Sequence, residues 1–190
     1  MLQNKVHRRI LVIKHGALGD IVQAFDAFAS LRAGNPKAHI ALMTSPRFLS
    51  LAKMMPWFDE VIADPRAGLL NLAAAWRIHQ YFRQDWLLIV DMQCSGRTRN
   101  YFAHFVPSNT RWIGTASGCS DPLPDFTGVN NRDRMVTSAK MAGGISQSPD
   151  MSWLVNEAAQ TDDPTMMMNN RRYAVLIPGC SMAKPQKRWP

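Results

Sequence analysis

Disulfide chemistry is nearly absent from this sequence. Its three cysteines, Cys94, Cys119 and Cys180, lie far apart and form no Cys-x-x-Cys pair. An odd, scattered set builds neither a disulfide framework nor a cysteine zinc site, and it suits a reducing compartment. Long apolar runs are missing too. No stretch approaches the ~20 residues needed to cross a bilayer. The four apolar residues Ile10 to Ile13, followed at once by Lys14-His15, are too few for the core of a signal peptide. The expectation is a cytoplasmic protein, with association at a membrane surface left open. Acidic residues are scarce, 14 against 22 Lys and Arg, for a net charge of +8. That excess favours an anionic partner such as a phosphorylated substrate or acidic headgroups. No Lys/Arg run exceeds two residues and no helix-turn-helix, zinc-finger or RNP pattern is legible, so nucleic acid is not expected.

What is present is an alternation of short apolar runs with helical periodicity. At 190 residues the chain holds one domain, or one domain and part of another. A domain of this size buries roughly 70% of its unfolded surface and needs no staples. Ile10-Leu-Val-Ile13, His39 to Met43, Glu60 to Ala63, Trp86 to Asp91 and Arg111 to Gly114 read as strands. Trp86 to Asp91, apolar throughout up to its last residue, is the central strand, covered on both faces. Leu18 to Arg32 reads as one helix, with Ile21, Val22, Phe25, Phe28, Ala29 and Leu31 on its apolar face and Gly34-Asn-Pro36 as its stop. Ser45-Pro46 reads as the cap of a short helix. Leu69 to Arg83 reads as a helix burying Leu69, Leu72, Ala73, Trp76 and Tyr81-Phe82. Arg97 to Phe105 and Asn131 to Ala142 read as two more, and 115–128 as a functional loop. Trp57, Trp76 and Trp112 read as packing residues.

The fold class is therefore α/β, a Rossmann-like, doubly wound parallel sheet. Residues 1–144 form that domain and the Ser-, Asp- and Asn-rich stretch 145–171 reads as a linker. Tyr173 to Ile177 reads as the first strand of a second, truncated domain spanning 172–190.

The stretch Lys14-His-Gly-Ala-Leu-Gly-Asp20 joins the first strand to the first helix. A dinucleotide fingerprint needs glycine at 14, 16 and 19, whereas this chain has Lys14, Gly16 and Gly19. The acid expected after the second strand is replaced by Thr44-Ser45, so a nicotinamide oxidoreductase is the weakest alternative. Asp20 on the first helical turn has two readings. A carboxylate there gains about 0.3–1 kcal/mol from the helix dipole and the free N–H groups. The same placement keeps it ionised beside a ligand crevice, as a general base for a hydroxyl requires.

The opening stretch resembles the first motif of the glycosyltransferase family 9 proteins, the lipopolysaccharide heptosyltransferases and their relatives. Asn35 to Leu42 with Phe58-Asp-Glu-Val-Ile62 resembles the family's second and third strands. Trp86 to Arg97 resembles its "D-L-Q-x-x-x-R" strand end, and Ile177-Pro-Gly-Cys-Ser181 with Lys187-Arg-Trp-Pro190 the start of its second domain. The resemblance implies the N-terminal half of a GT-B fold, two Rossmann-like domains with the active site between them. It implies an inverting, metal-independent glycosyltransferase without a cofactor. Such an enzyme takes a nucleotide-sugar donor, ADP-heptose in the heptosyltransferases, and an anionic glycolipid or glycan acceptor.

By the same resemblance Asp20 is the catalytic base, and Ser181 and Lys187 bind the donor. Gly16 and Gly19 give the acceptor room. Arg66, Arg97, Arg99 and Arg132 are the basic residues placed to bind it. Asp91 and Gln93 end the central strand at the same crevice, where a polar cap and a substrate contact are equally good readings. Lys14-His15 and Cys180 depart from the family's usual residues. The alternative function is a non-catalytic fragment that binds the acceptor and not the donor.

Overall fold

The computed structural model describes residues 8–64 and 72–158. The chain divides into two compact units, Met1–Trp153 and Leu154–Pro190, and the first holds the fold described below. Six parallel strands form one sheet in the order β3-β2-β1-β4-β5-β6. They are β1 (Arg9–Ile13), β2 (His39–Thr44), β3 (Glu60–Ala63), β4 (Leu88–Asp91), β5 (Arg111–Gly114) and β6 (Asp121–Pro122). The helices are α1 (Leu18–Val22), α2 (Phe25–Gly34), α3 (Leu49–Met54), α4 (Leu72–Phe82), α5 (Gly96–Phe105), α6 (Asn131–Met141) and α7 (Ser152–Ala158).

The strands form because their residues are apolar on both sides, and alternate residues supply two separate cores. Ile10, Val12, Ile40, Leu42, Leu88, Val90 and Ile113 face α2, α3 and α6. Leu11, Ile13, Ala41, Met43, Ile62, Ile89 and Trp112 face α4 and α5. A period of two across a sheet covered on both faces produces this division. The strand order reverses between β1 and β4, which pair in register from Ile10↔Leu88 to Ile13↔Asp91. In open parallel sheets the crevice beyond the strands' carboxyl ends at that reversal is where ligands bind.

Several expectations change. The first helix is two: α1 ends at Val22 and α2 begins at Phe25, and Val22 is half exposed instead of lying on the apolar face. In α4 the buried positions are Ala74, Ile78 and Phe82. Leu72, Ala73 and Trp76 lie on the outer side, and Leu72 and Trp76 are 79% and 64% exposed. Four-residue spacing allowed either stripe, and the sheet took the one ending in Phe82. Leu69 lies outside the described residues. Trp57 and Trp112 are core residues as expected. Leu87 is exposed, so the central strand is narrower than its apolar run. Ser45 Oγ does not cap a helix; it donates to the His15 carbonyl at 2.8 Å, and a 3-10 turn over Pro46–Phe48 precedes α3.

The loop after β5 contains β6. Parallel strands usually need a connection of a dozen residues or more, but here residues 115–120 suffice. Ser120 Oγ accepts from the Trp112 N–H at 2.9 Å, and Arg111 and Asp121 pair at 2.6 Å across the edge. Gly34 does more than stop α2. A Cβ there would lie 1.9 Å from the Gly143 carbonyl oxygen, so α2 and the end of α6 approach closer than any side chain permits. Asn35 Nδ2 ties the two helices by donating to the Leu31 and Ala142 carbonyls. At their other ends Arg132 of α6 hydrogen-bonds Asp26 of α2. The helices thus run side by side in the same direction, and both begin at the crevice.

Residues 145–153 lie along this first unit. The Ile145 N–H donates to the Ser30 carbonyl at 2.9 Å, and Trp153 stacks edge-on against Phe25 and Trp57. Among the described residues no helix is long and apolar enough to cross a membrane.

Candidate active site

The crevice opens where β1 and β4 end. After Ile13 the backbone leaves the sheet through Lys14, His15 and Gly16. Gly16 has φ +78°, and a Cβ on it would meet Ile21 at 2.8 Å, so this turn requires glycine twice over. Gln93 Oε1 holds the turn, accepting from the His15 and Gly16 N–H groups at 2.9 and 3.3 Å. Gly19 differs: nothing lies within 4 Å of its absent Cβ. It faces open space.

Asp20 sits at the third position of α1 and is partly buried. Its Oδ2 accepts from the Ala17 N–H at 3.1 Å, the reach-back of a helix-start carboxylate. Its Oδ1 accepts from Asn131 Nδ2 at 3.4 Å, and that amide also donates to Gln23 Oε1. One geometry accommodates both readings of Asp20. The carboxylate starts a helix, and it keeps acceptor capacity for a hydroxyl at the mouth of the crevice.

The charges behind it are arranged in a chain. Lys14 is 2% exposed, and its Nζ reaches the Met92 carbonyl at 3.5 Å. Burial pushes this amine below the ordinary lysine value, the Asp20 carboxylate pulls it back up, and Arg134 pushes it down again. Arg134 Nη2 donates to the same carbonyl at 3.3 Å and to Asn131 Oδ1 at 2.6 Å. Asp91, fully buried, ends β4; its Oδ1 accepts from the Gln93 and Cys94 N–H groups at 3.0 and 2.8 Å. Burial pushes this carboxyl above the usual aspartate range. Cys94 adopts φ +49° in the turn that follows, and burial and Asp91 push its thiol up to about 11.

On the other side of β1 lies a second buried cluster. His15 Nε2 is 2.7 Å from Asp64 Oδ2, close enough for an ion pair although the ring N–H is not aligned as a hydrogen bond. Tyr101 Oη donates to the same Asp64 oxygen at 2.9 Å, and Arg97 Nη1 donates to Tyr101 Oη at 3.4 Å. His15 thus anchors the opening turn from behind.

Solved structures with a similar fold are known. The crystal structure of a glycosyltransferase family 9 protein from Veillonella parvula superposes with a TM-score of 0.70 at 17% identity over 96% of this chain. The fold is that of the family 9 glycosyltransferases. Escherichia coli heptosyltransferase WaaC with ADP follows at 0.64, 15% identity and 96% coverage. E. coli ADP-heptose lps heptosyltransferase II follows at 0.53, 17% and 69%. This chain spans 56% of the Veillonella chain and 61% of the WaaC chain. A putative glycosyltransferase of Haemophilus influenzae is 43% identical over 58 residues, 30% of this chain and 17% of that protein. No family model matches the chain.

Set on this family 9 fold, the residues read from the sequence fall into groups. Asp20, Gly16 and Gly19 share the opening turn. Arg99 lines a cleft of about 540 Å³ beyond β4 and β5 together with Arg134. Arg97 lies on the His15–Asp64 side of β1, bonded to Tyr101. Arg132 is exposed and bonded to Asp26 on α2. Arg66, Ser181 and Lys187 lie outside the described residues. Sequence reasoning missed Arg134 and Asn131, and read Lys14 as a departure from pattern only. The one available signal was a cation ending an apolar strand, which a fully buried environment makes costly without a purpose. Among the described residues no group of three or more His, Cys, Asp or Glu is placed to hold a metal ion.

Proposed function

We propose that this chain is the acceptor-side half of an inverting, metal-independent family 9 glycosyltransferase. Its reaction moves a sugar, heptose from ADP-heptose in the reading that fits best, to a hydroxyl of a lipopolysaccharide-core or other envelope glycan. The observation that carries this reading is Asp20, a partly exposed carboxylate on a glycine turn at the point where the strand order reverses. The fold and the short curated match support the family.

In this mechanism an acceptor hydroxyl hydrogen-bonds Asp20 and gives it the proton as its oxygen attacks the sugar's anomeric carbon. The new carbon–oxygen bond forms on the face opposite the departing nucleoside diphosphate, whose bond breaks with inversion. Asn131 and the Ala17 N–H fix the carboxylate's direction, and Lys14 and Arg134 give the site a positive field. Ser181 and Lys187 take the donor's diphosphate side. The excess of basic residues suits an anionic acceptor and peripheral contact with the inner membrane.

Acceptor-dependent release of ADP from ADP-heptose, measured on the protein carrying both halves of the fold, tests this reading. Release only with acceptor, giving a product of inverted configuration, is expected. Retained configuration contradicts it. As a second reading, the crevice residues all lie in the first unit, so the 190-residue chain binds acceptor without donor; calorimetry with ADP-heptose is then expected to show no heat of binding.

A further inference from the structure

The backbone ladder of the sheet gives out just before the opening turn. Its last rungs around β1 are the Lys14 N–H to the Met43 carbonyl at 3.0 Å and the Met92 N–H to the Ile13 carbonyl at 3.1 Å. At the next residue side chains take the ladder's place. The His15 N–H donates to Gln93 Oε1 at 2.9 Å, beyond β4, and the His15 carbonyl accepts from Ser45 Oγ at 2.8 Å, beyond β2. The imidazole reaches one strand further, with Nε2 2.7 Å from Asp64 Oδ2 just past β3. One residue is thus tied to the carboxyl ends of three other strands.

Both partners of the ring contact are enclosed: the His15 and Asp64 side chains are 2% and 0% exposed. Asp64 is itself fixed from two sides. Its N–H donates to the Thr44 carbonyl at 2.8 Å, and its Oδ2 accepts from Tyr101 Oη of α5 at 2.9 Å. Filling the core needs none of these polar contacts, and an apolar side chain of similar size would do it without enclosing a carboxylate. Gly16 comes next, and glycine restrains its backbone less than any other residue. His15 is therefore the last position at which the chain can be gripped before the turn that carries Asp20.

We infer that His15 is a positioning residue of the transfer reaction: clamped by Asp64, Gln93 and Ser45, it sets the height and direction of the turn from which Asp20 meets the acceptor hydroxyl. A base works only where it is placed, and a misplacement of about 1 Å can cost about 10²-fold in rate. Enclosed behind the turn, His15 acts through Gly16 and Ala17, whose N–H meets Asp20 Oδ2 at 3.1 Å. The inference rests on the proposed role of Asp20, which Asp20→Asn tests separately.

Two measurements on the same variants test it. In the full 190-residue chain, NMR follows the Ala17 amide and the Asp20 carboxyl carbon, with neither donor nor turnover needed. His15→Gln and Asp64→Asn should shift both signals. Tyr101→Phe removes a single hydroxyl from Asp64, should shift them in the same sense, and carries the test if His15→Gln does not fold. Arg32→Gln breaks contacts to Trp57, Ala38 and Asp59 at the opposite edge of the sheet and should leave both signals unmoved. In the protein carrying both halves of the fold, His15→Gln should lower kcat by about 10–100-fold with KM held within about twofold. Asp64→Asn should then add less than about twofold in the His15→Gln background, because its effect passes through the ring. Unmoved Ala17 and Asp20 signals overturn the inference, as does a kcat loss that Arg32→Gln reproduces. Full additivity of His15→Gln and Asp64→Asn overturns it too, as do shifted signals with kcat unchanged where Asp20→Asn abolishes turnover.

Discussion

Two carboxylates at the end of the sheet show how environment assigns opposite tasks to the same group. Asp20 keeps solvent on one side and a small number of donors on the other. Asp91 is enclosed, and burial pushes its carboxyl above the ordinary 3.8. A folded-state value raised in this way favours folding below 3.8 and loses that advantage as pH rises through the folded value. Asp91→Asn keeps an oxygen for the Gln93 and Cys94 N–H groups and removes the ionisation. It should raise the melting temperature at pH 8, with the gain disappearing near pH 3.5 in a thermal-melt series; a constant difference across pH contradicts this. Gly19 offers a second test at this scale. Its absent side chain faces open space, so Gly19→Ala should stabilise the chain by about 0.5–1 kcal/mol in denaturant unfolding, the ordinary gain on leaving glycine in a helix. Sugar transfer should nonetheless fall if, as proposed, the methyl group enters the acceptor's room. Unchanged transfer would remove Gly19 from the site.

At the scale of elements, the strands and most helices were legible because burial on both faces leaves continuous apolar runs and clear punctuation. Asn130 to Gly144 shows this well: an N-cap asparagine accepting from the Asp133 N–H, a helix, and two glycines. What the sequence did not disclose were choices made by distant contacts. The stripe Ala74–Ile78–Phe82 and the stripe through Leu72 and Trp76 have the same spacing, and only the sheet decides between them. Ser45 fits an N-cap locally, yet its hydroxyl serves the His15 carbonyl thirty residues away. Asn131 reaches the crevice across 111 residues from Asp20, and Arg134 follows it on the same helix. No local pattern could have marked them. Gly34 stops α2 as its sequence suggests, but its close approach to Gly143 is set by a contact no local pattern shows. Gly34→Ala should accordingly cost about 1–3 kcal/mol of stability by forcing α2 and α6 apart. A cost below the few tenths typical of a surface position would mean the helices slide freely.

For the whole molecule, the placement of the site follows from topology. Parallel strands in the order 3-2-1-4-5-6 put every carboxyl end on one edge, and the reversal between β1 and β4 opens the crevice that Lys14, Gln93 and Asp20 line. α6, held along α2 by Asn35 and Arg132, begins at that edge and delivers Asn131 and Arg134 to it. The unit closes with Trp153 against Phe25 and Trp57, nine residues past the boundary read from the sequence at 144. The proposed half of a glycosyl-transfer site would thus be built from a single sheet edge. The most direct test is Asp20→Asn in the protein carrying both halves of the fold, assayed for acceptor-dependent sugar transfer with its melting temperature measured alongside. Loss of a general base predicts a fall in turnover of about 10²–10⁴-fold at an essentially unchanged melting temperature. Turnover within a few fold of the parent would contradict the assignment of Asp20 as the base.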